Sequence, residues 1–174
     1  MIKEYNKLKT RIRLLLVFFI VALALSGITA FPLEIELNLL QHYADQILDE
    51  NNSLRMWIVK VHEGVHNTNL KYPFIAYGTD WLAFAHIVIA IAFIGPIIDP
   101  VKNIWVIQFG IIACLLILPL ALIAGEIRDI PFYWRLIDCS FGIIGIFPLM
   151  LTYHYTKKLE KYEIYNEKPE VKFG

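Results

Sequence analysis

The fold is decided by residues 103–124, an uncharged run that reads NIWVIQFGIIACLLILPLALIA. The hydrocarbon core of a bilayer, about 30 Å thick, requires roughly 20 predominantly apolar residues at about 1.5 Å of rise each. This run is therefore long enough to cross a bilayer as one helix. Glu126, Arg128 and Asp129 follow almost directly and mark the end of the apolar segment.

Three further stretches are also long and predominantly apolar: residues 12–31, 80–98 and 131–155. None shows the polar and apolar alternation of a barrel strand, and only helices or closed barrels satisfy their backbone groups within lipid. The expected fold class is an all-α integral membrane protein. We expect a four-helix transmembrane bundle that forms a single membrane domain over residues 1–174.

The composition supports this class and excludes others. Hydrophobic residues make up 57% of the chain and charged residues 18%, with a mean hydropathy of +0.55, against about 45–50% and about 25% in soluble domains. This excludes a disordered chain, a disulfide-stapled miniprotein and a soluble enzyme. The net charge is zero, so no basic surface predicts a nucleic-acid partner. The expected partners are the lipid bilayer and either a second copy or another membrane protein.

The first apolar run also has features of a signal peptide. Basic residues precede it, and Ala22-Leu23-Ala24 resembles a cleavage site. However, the run is longer than the usual hydrophobic region of about 7–15 residues and continues to Phe31. These features favour a retained membrane anchor.

The distribution of lysine and arginine predicts the orientation, because cytoplasmic loops carry an excess of both. A cytoplasmic N-terminus places eleven of the sixteen inside and five outside. The chain then has cytoplasmic segments 1–11, 99–102 and 156–174, and outer segments 32–79 and 125–130. We expect a cytoplasmic (inner) membrane of bacterial type. The eleven inner residues are Lys3, Lys7, Lys9, Arg11, Arg13, Lys102, Lys157, Lys158, Lys161, Lys168 and Lys172.

The outer segment 32–79 carries apolar residues at helical spacing in two parts, separated by residues 49–53 (DENNS). This pattern predicts two short amphipathic helices on the outer face of the bundle or on the lipid headgroups. Residues 67–78 are expected to form a loop. Thr79 or Asp80 would then cap the second span.

Ionisable residues within the spans concentrate in their outer halves. Below the outer helix ends, His86 lies roughly 9 Å deep, Arg135 roughly 6 Å and Asp138 roughly 10 Å at helical rise. Charges in a bilayer usually pair with one another or face a water-filled cavity. The sequence therefore leaves two interpretations open: an outward-open polar pocket, or salt bridges that lock the helices. The candidate residues are Asp80, His86, Glu126, Arg128, Asp129, Arg135 and Asp138.

His62-Glu63-Gly64-Val65-His66 matches the H-E-x-x-H motif of zinc metallopeptidases over five residues. On a helix, His62 and His66 share one face and are candidate zinc ligands, while Glu63 would activate a water molecule. A catalytic zinc needs a third protein ligand, for which Asp80, His86 and Glu126 are candidates. Zinc is therefore the one cofactor that the sequence suggests.

Smaller features predict helix packing rather than chemistry. Cys114 and Cys139 are expected to be packed apolar thiols, and Gly142 and Gly145 permit close helix approach. Kinks are predicted at the prolines inside the spans. These are Pro96, Pro119 and Pro148.

Three functions remain open from the sequence. The favoured one is a small multi-pass membrane protein, not an enzyme, that binds a partner, a lipid or an ion at an outward-facing polar site. The first alternative is a zinc-dependent membrane hydrolase or peptidase that uses HEGVH. The second is an oligomeric channel or transporter gated at Asp80, His86, Arg135 and Asp138.

Overall fold

The computed structural model describes residues 2–167, and every regular element in that range is helical. The predicted tail lysines Lys168 and Lys172 lie outside the described residues. The elements are α1 (Ile2–Ala30), α2 (Leu33–Ile47), α3 (Ser53–Lys71), a short 3₁₀ turn (Pro73–Ile75), α4 (Ala76–Ala92), α5 (Ile94–Ile98), α6 (Ile104–Ile127) and α7 (Phe132–Glu167).

Four helical segments are long and apolar enough to cross a membrane, which confirms this part of the sequence prediction. They are Lys3–Ala30, Pro73–Ile98, Ile104–Ile127 and Phe132–Ile164. Much of their apolar surface is exposed, with Leu116 at 60% and Ile144 at 63%. Soluble proteins rarely expose large contiguous apolar patches, whereas a lipid-facing helix does so along its length.

The segment between the first two spans differs in part from the prediction. The expected turn at residues 49–53 is confirmed: the Asn52 side chain caps α3 by accepting a hydrogen bond from the Leu54 N–H at 2.9 Å. The expected loop at residues 67–78 is wrong, because α3 continues to Lys71 and α4 begins at Ala76. The break is limited to Tyr72, since the residue before a proline is pushed out of helical geometry.

The same correction applies to the start of the second span. Neither Thr79 nor Asp80 caps it, because both lie inside α4. Pro73 starts the 3₁₀ turn that leads into α4, a position where its missing N–H costs nothing.

Only one of the three prolines within the spans accompanies a helix break. α4 ends at Ala92 and α5 begins at Ile94. The break at Phe93 lies three residues before Pro96. α6 and α7 continue through Pro119 and Pro148, where bending stays a prediction.

The described residues form two compact units. One contains residues up to Val21 together with residues from Ile91 onward, and its main helix pair is α6 with α7. Glycines let these helices approach closely. A Cβ on Gly142 would lie 2.6 Å from the Cys114 carbonyl oxygen, and one on Gly110 would lie 2.9 Å from the Leu149 side chain. Cys114 and Cys139 are buried free thiols, as predicted.

The other unit spans Ala22–Ala90. Its centre is an antiparallel hairpin of α2 and α3, which residues 48–52 connect. At Gly27, the last part of α1 approaches α4 so closely that a Cβ would lie 2.8 Å from the Ala83 carbonyl oxygen. Such close approach at a small residue is typical of helix packing in membranes.

The glycine contacts generate a stability prediction. Gly142→Ala places a methyl group against the α6 backbone and is expected to destabilise the protein by about 1–3 kcal/mol. Gly64→Ala is the matched control: a Cβ there meets no atom within 4 Å, and the helix gains up to about 1 kcal/mol. Thermal unfolding in detergent measures both. A Gly142→Ala protein as stable as the wild type would contradict the tight α6 and α7 contact.

Candidate functional site

Polar side chains form the seam between α2 and α3. Arg55 Nε donates a hydrogen bond to Asp45 at 2.7 Å, near the connecting turn. Further along, His62 Nε2 lies 2.7 Å from Asn38 Oδ1. At the far end, His66 Nδ1 lies 2.6 Å from Glu34 Oε1. The partners recur one or two helical turns apart on each helix, so the seam fixes the register of the hairpin.

Glu34 is the most fully bonded acid of this seam. Besides His66 on one oxygen, its other oxygen accepts a hydrogen bond from the Asn69 amide at 2.9 Å. The Asn69 hydrogen bond, followed by the one from His66, lowers the pKa of Glu34 below its ordinary value of 4.5. The carboxylate is therefore ionised at neutral pH and orients the two α3 side chains.

The H-E-x-x-H histidines take part in this seam. The rings of His62 and His66 lie parallel with centroids 6.1 Å apart, and each is hydrogen-bonded to α2. Glu63 is exposed on a neighbouring face of α3. Among residues 2–167, no group of three or more histidine, cysteine, aspartate or glutamate residues has an arrangement that would hold a metal ion. The structure therefore does not support zinc binding, and it gives these histidines a packing role.

A groove of about 630 Å³ lies within the unit Ala22–Ala90 and contains two carboxylates. Glu34 and Asp80 line it together with the neutral polar residues Thr68, Asn69 and Thr79. The rest of the lining is apolar or backbone, and it includes no lysine or arginine. The volume lies in the range of about 300–1,000 Å³ that is typical of small-molecule sites. The apolar members include Phe31, Ile35, Val61, Val65 and Ile75.

Asp80 also lines a second, aromatic groove of about 290 Å³. Its other lining residues are Phe31, Tyr77, Trp81 and Phe84. Trp81 makes edge-to-face contacts with Tyr77 and Phe84, each with ring centroids 6.0 Å apart. Asp80 is partly buried and, within the described part of the chain, forms no ion pair. Asp80 and Phe31 thus belong to both grooves.

Arg135 and Glu126 form an ion pair in the other unit, at the turn between α6 and α7. Arg135 Nη1 donates to Glu126, and its Nε donates to the Ile130 carbonyl oxygen at 2.7 Å. The Arg135 side chain is only 12% exposed, because its stem packs where a Cβ on Gly125 would stand. This pair fits the interpretation of a structural salt bridge, since it closes the turn.

The remaining predicted polar residues occupy several positions. Arg128 and Asp129 are exposed in the turn between α6 and α7, and Asp129 adopts a left-handed backbone with φ of 54°. Asp138 is partly buried on α7, and no ion pair of the described residues includes it. His86 Nδ1 lies 2.8 Å from the Leu82 carbonyl oxygen, one turn earlier on α4.

Asp80 and His86 belong to the unit Ala22–Ala90, whereas the other five predicted pocket residues belong to the other unit. A pocket shared by all seven stays a prediction. Sequence reasoning missed Glu34, Asn38 and Asn69. The signal that would have found the first two is their spacing of four residues, which equals the spacing of the two histidines.

The fold and site define a class: an all-helical protein with four helices of membrane-spanning length and a polar hairpin between the first two. Comparison with protein-family models, curated proteins and solved structures finds no match for this chain.

The Glu34 contacts predict a pH dependence of the hairpin. The pKa of folded Glu34 lies below 4.5, so its hydrogen bonds stabilise the hairpin above that pH, and the stabilisation is lost as pH falls through the folded-state pKa. Once the slower intrinsic exchange at low pH is divided out, the protection factors of the α2 and α3 amides are expected to fall on acidification from about pH 5 downward. Glu34→Gln should flatten this response, whereas Glu63→Gln, at an exposed carboxylate, should retain it. Equal pH responses of both variants would contradict the role of Glu34.

Proposed function

We propose that the four apolar helices cross a bilayer, with both termini in the cytoplasm and the α2 and α3 hairpin on the outer side. Two features support this placement. The spans expose large apolar side chains along their lengths. The division of eleven basic residues inside against five outside follows the positive-inside rule. In this arrangement α2 and α3 are the outer-loop helices, and the Asp80 grooves open near the outer surface.

We further propose that the protein is a binding protein rather than an enzyme, and that its ligand carries an organic ammonium group. The observation that carries this proposal is the position of Asp80. This carboxylate has no ion-pair partner in residues 2–167 and lies where an acidic groove and an aromatic groove share a wall. A positive ligand would supply the missing counter-charge.

The aromatic residues favour an ammonium group over a metal cation. An organic ammonium is attracted to the faces of aromatic rings, and tryptophan gives the strongest interaction. Trp81, Tyr77 and Phe84 offer three rings beside one carboxylate. The apolar walls formed by Val61, Val65 and other side chains of the larger groove suit an alkyl portion of the ligand. Recognition would therefore combine charge pairing, ring contact and apolar burial.

The two alternative functions make different demands on the chain. A zinc hydrolase needs His62, His66 and a third ligand around an open metal position. The seam contacts of both histidines with α2 do not favour that use. A channel or transporter would have to release the ligand bound at Asp80 on the opposite side of the membrane.

The binding proposal is tested with choline and its neutral isostere 3,3-dimethyl-1-butanol, by calorimetry on the purified chain in detergent. Choline is expected to bind and the isostere to bind at least tenfold more weakly, because a charged contact contributes about 1.5–3 kcal/mol. Asp80→Asn should lower choline affinity by about tenfold or more, and Trp81→Leu by several fold.

Glu63→Gln is the matched control, because it removes an exposed carboxylate that lines neither Asp80 groove. It should leave choline binding unchanged. Equal affinity for choline and its isostere, or wild-type affinity in Asp80→Asn, would refute the ammonium site. If the protein carries choline into liposomes and Asp80→Asn abolishes this flux, the protein is a transporter rather than a binding protein.

A further inference from the structure

A separate cavity of about 420 Å³ lies between the start of α1 and the end of α7, and basic residues dominate its lining. Lys3, Lys7 and Arg11 come from α1, and Lys158 comes from α7. Residues four apart on a helix share one face, so the three α1 cations form a single ridge along one wall. The cavity lies within one compact unit and is independent of the Asp80 grooves.

Contacts between α1 and α7 hold this cavity in shape. The Tyr5 hydroxyl donates a hydrogen bond to Glu163 Oε1 at 2.9 Å, which ties the two helices together. The Arg11 guanidinium lies 5.8 Å from the centroid of the Tyr155 ring, a cation–π contact that orients it. Leu8 and Leu159 are buried and give this end of the unit an apolar core.

The lining cations lack acidic partners. No ion pair among the described residues includes Lys3, Lys7, Arg11 or Lys158. The one acid of the lining is Glu4, whose carboxylate hydrogen-bonds with Tyr162. The lining thus has four positive groups against one negative group, and it favours an anion.

Other cations of the same helix have different contacts. Lys9 lies over the Tyr5 ring, with its Nζ 5.5 Å from the centroid, and does not line the cavity. Arg13 Nε donates a hydrogen bond to the Ile97 carbonyl oxygen at 3.3 Å. Only the basic residues on one face of α1, Lys3, Lys7 and Arg11, therefore form the ridge that lines the cavity.

The depth of the cavity matches the lipid headgroup layer. Arg11 lies three residues before Leu14, where the uncharged part of the first span begins, and Tyr155 ends the apolar part of the fourth span. Lys7 and Lys3 lie roughly 6 Å and 12 Å further from the hydrocarbon at helical rise. The headgroup region extends about 5–8 Å on each side of the hydrocarbon core. Arg11 therefore stands at the level of the lipid phosphates, with Lys7 and Lys3 further along the same ridge.

We propose that this cavity binds the phosphate group of an anionic phospholipid of the cytoplasmic leaflet. The proposal rests on the membrane placement given above, but not on the ammonium site. Arg11 and Lys7 contact the phosphate oxygens, and Lys3 and Lys158 enclose the polar headgroup. Basic pockets between helices on the cytoplasmic side are suited to anionic headgroups. A zwitterionic lipid binds less well, because its own ammonium group meets the lining cations.

The test is native mass spectrometry of the full chain in neutral detergent, titrated with phosphatidylglycerol or with phosphatidylcholine of the same acyl chains. Phosphatidylglycerol is expected to bind at one site and with higher affinity. Lys7→Gln and Lys158→Gln should each weaken it about fivefold, and Lys7→Gln with Arg11→Gln about 25-fold. Lys9→Gln, which removes the same charge from the same helix, should leave the affinity within twofold of the wild type.

Three results would overturn the proposal. Equal losses of phosphatidylglycerol affinity in Lys9→Gln and Lys7→Gln would indicate diffuse electrostatic attraction rather than a site. Equal affinity for both lipids would show that the cavity does not select its lipid by charge. Inorganic phosphate that binds as tightly as the lipid would assign the cavity to a free anion. Lys158 is exposed, so its variant keeps the test valid if the Arg11 change impairs folding. Choline binding is measured on the same proteins, so failure of the lipid site and failure of the ammonium site are distinguishable.

Discussion

In the proposed membrane placement, the structure depends on one constraint: within lipid, every backbone polar group must find its partner inside the protein. Helices meet this requirement locally, and α6 and α7 remain continuous even where they contain prolines. Polar side chains within the spans also turn toward the backbone. Ser140 donates to the Ile137 carbonyl oxygen, and Thr152 donates to that of Pro148. The apolar side chains are then free to face outward.

In that placement, the lipid environment also explains how the helices hold together. Lipid tails are as apolar as leucine, so burial of apolar area gives little drive between spans, and close packing takes its place. Gly110 and Gly142 supply this packing between α6 and α7, and Gly27 supplies it where α1 meets α4. Charged groups stand mostly at the helix ends, where they close turns, as Arg135 does, or line grooves, as Asp80 and Lys7 do.

The sequence predicted the four long helices, because apolar length depends on composition alone. It named Glu126 and Arg135 among the candidates for salt bridges that lock the helices, and these two residues form an ion pair. It did not predict what the H-E-x-x-H histidines contact, since Asn38 and Glu34 lie on another helix, 24 and 32 residues earlier than their partners. It also placed a loop where α3 continues, because the asparagines near residue 67 are typical of loops although a helix tolerates them on an exposed face. Contacts across helices depend on register, which no local pattern encodes.

The central claim is that the exposed apolar helices cross a bilayer with the hairpin outside and both termini inside. Cysteine labelling in cells with a membrane-impermeant maleimide tests it most directly, since the native Cys114 and Cys139 are buried and give little background. We expect Glu63→Cys to react in intact cells, Lys161→Cys to react only after lysis, and Leu116→Cys to react in neither condition. Labelling of Leu116→Cys in intact cells, or of Lys161→Cys before lysis, would contradict the account.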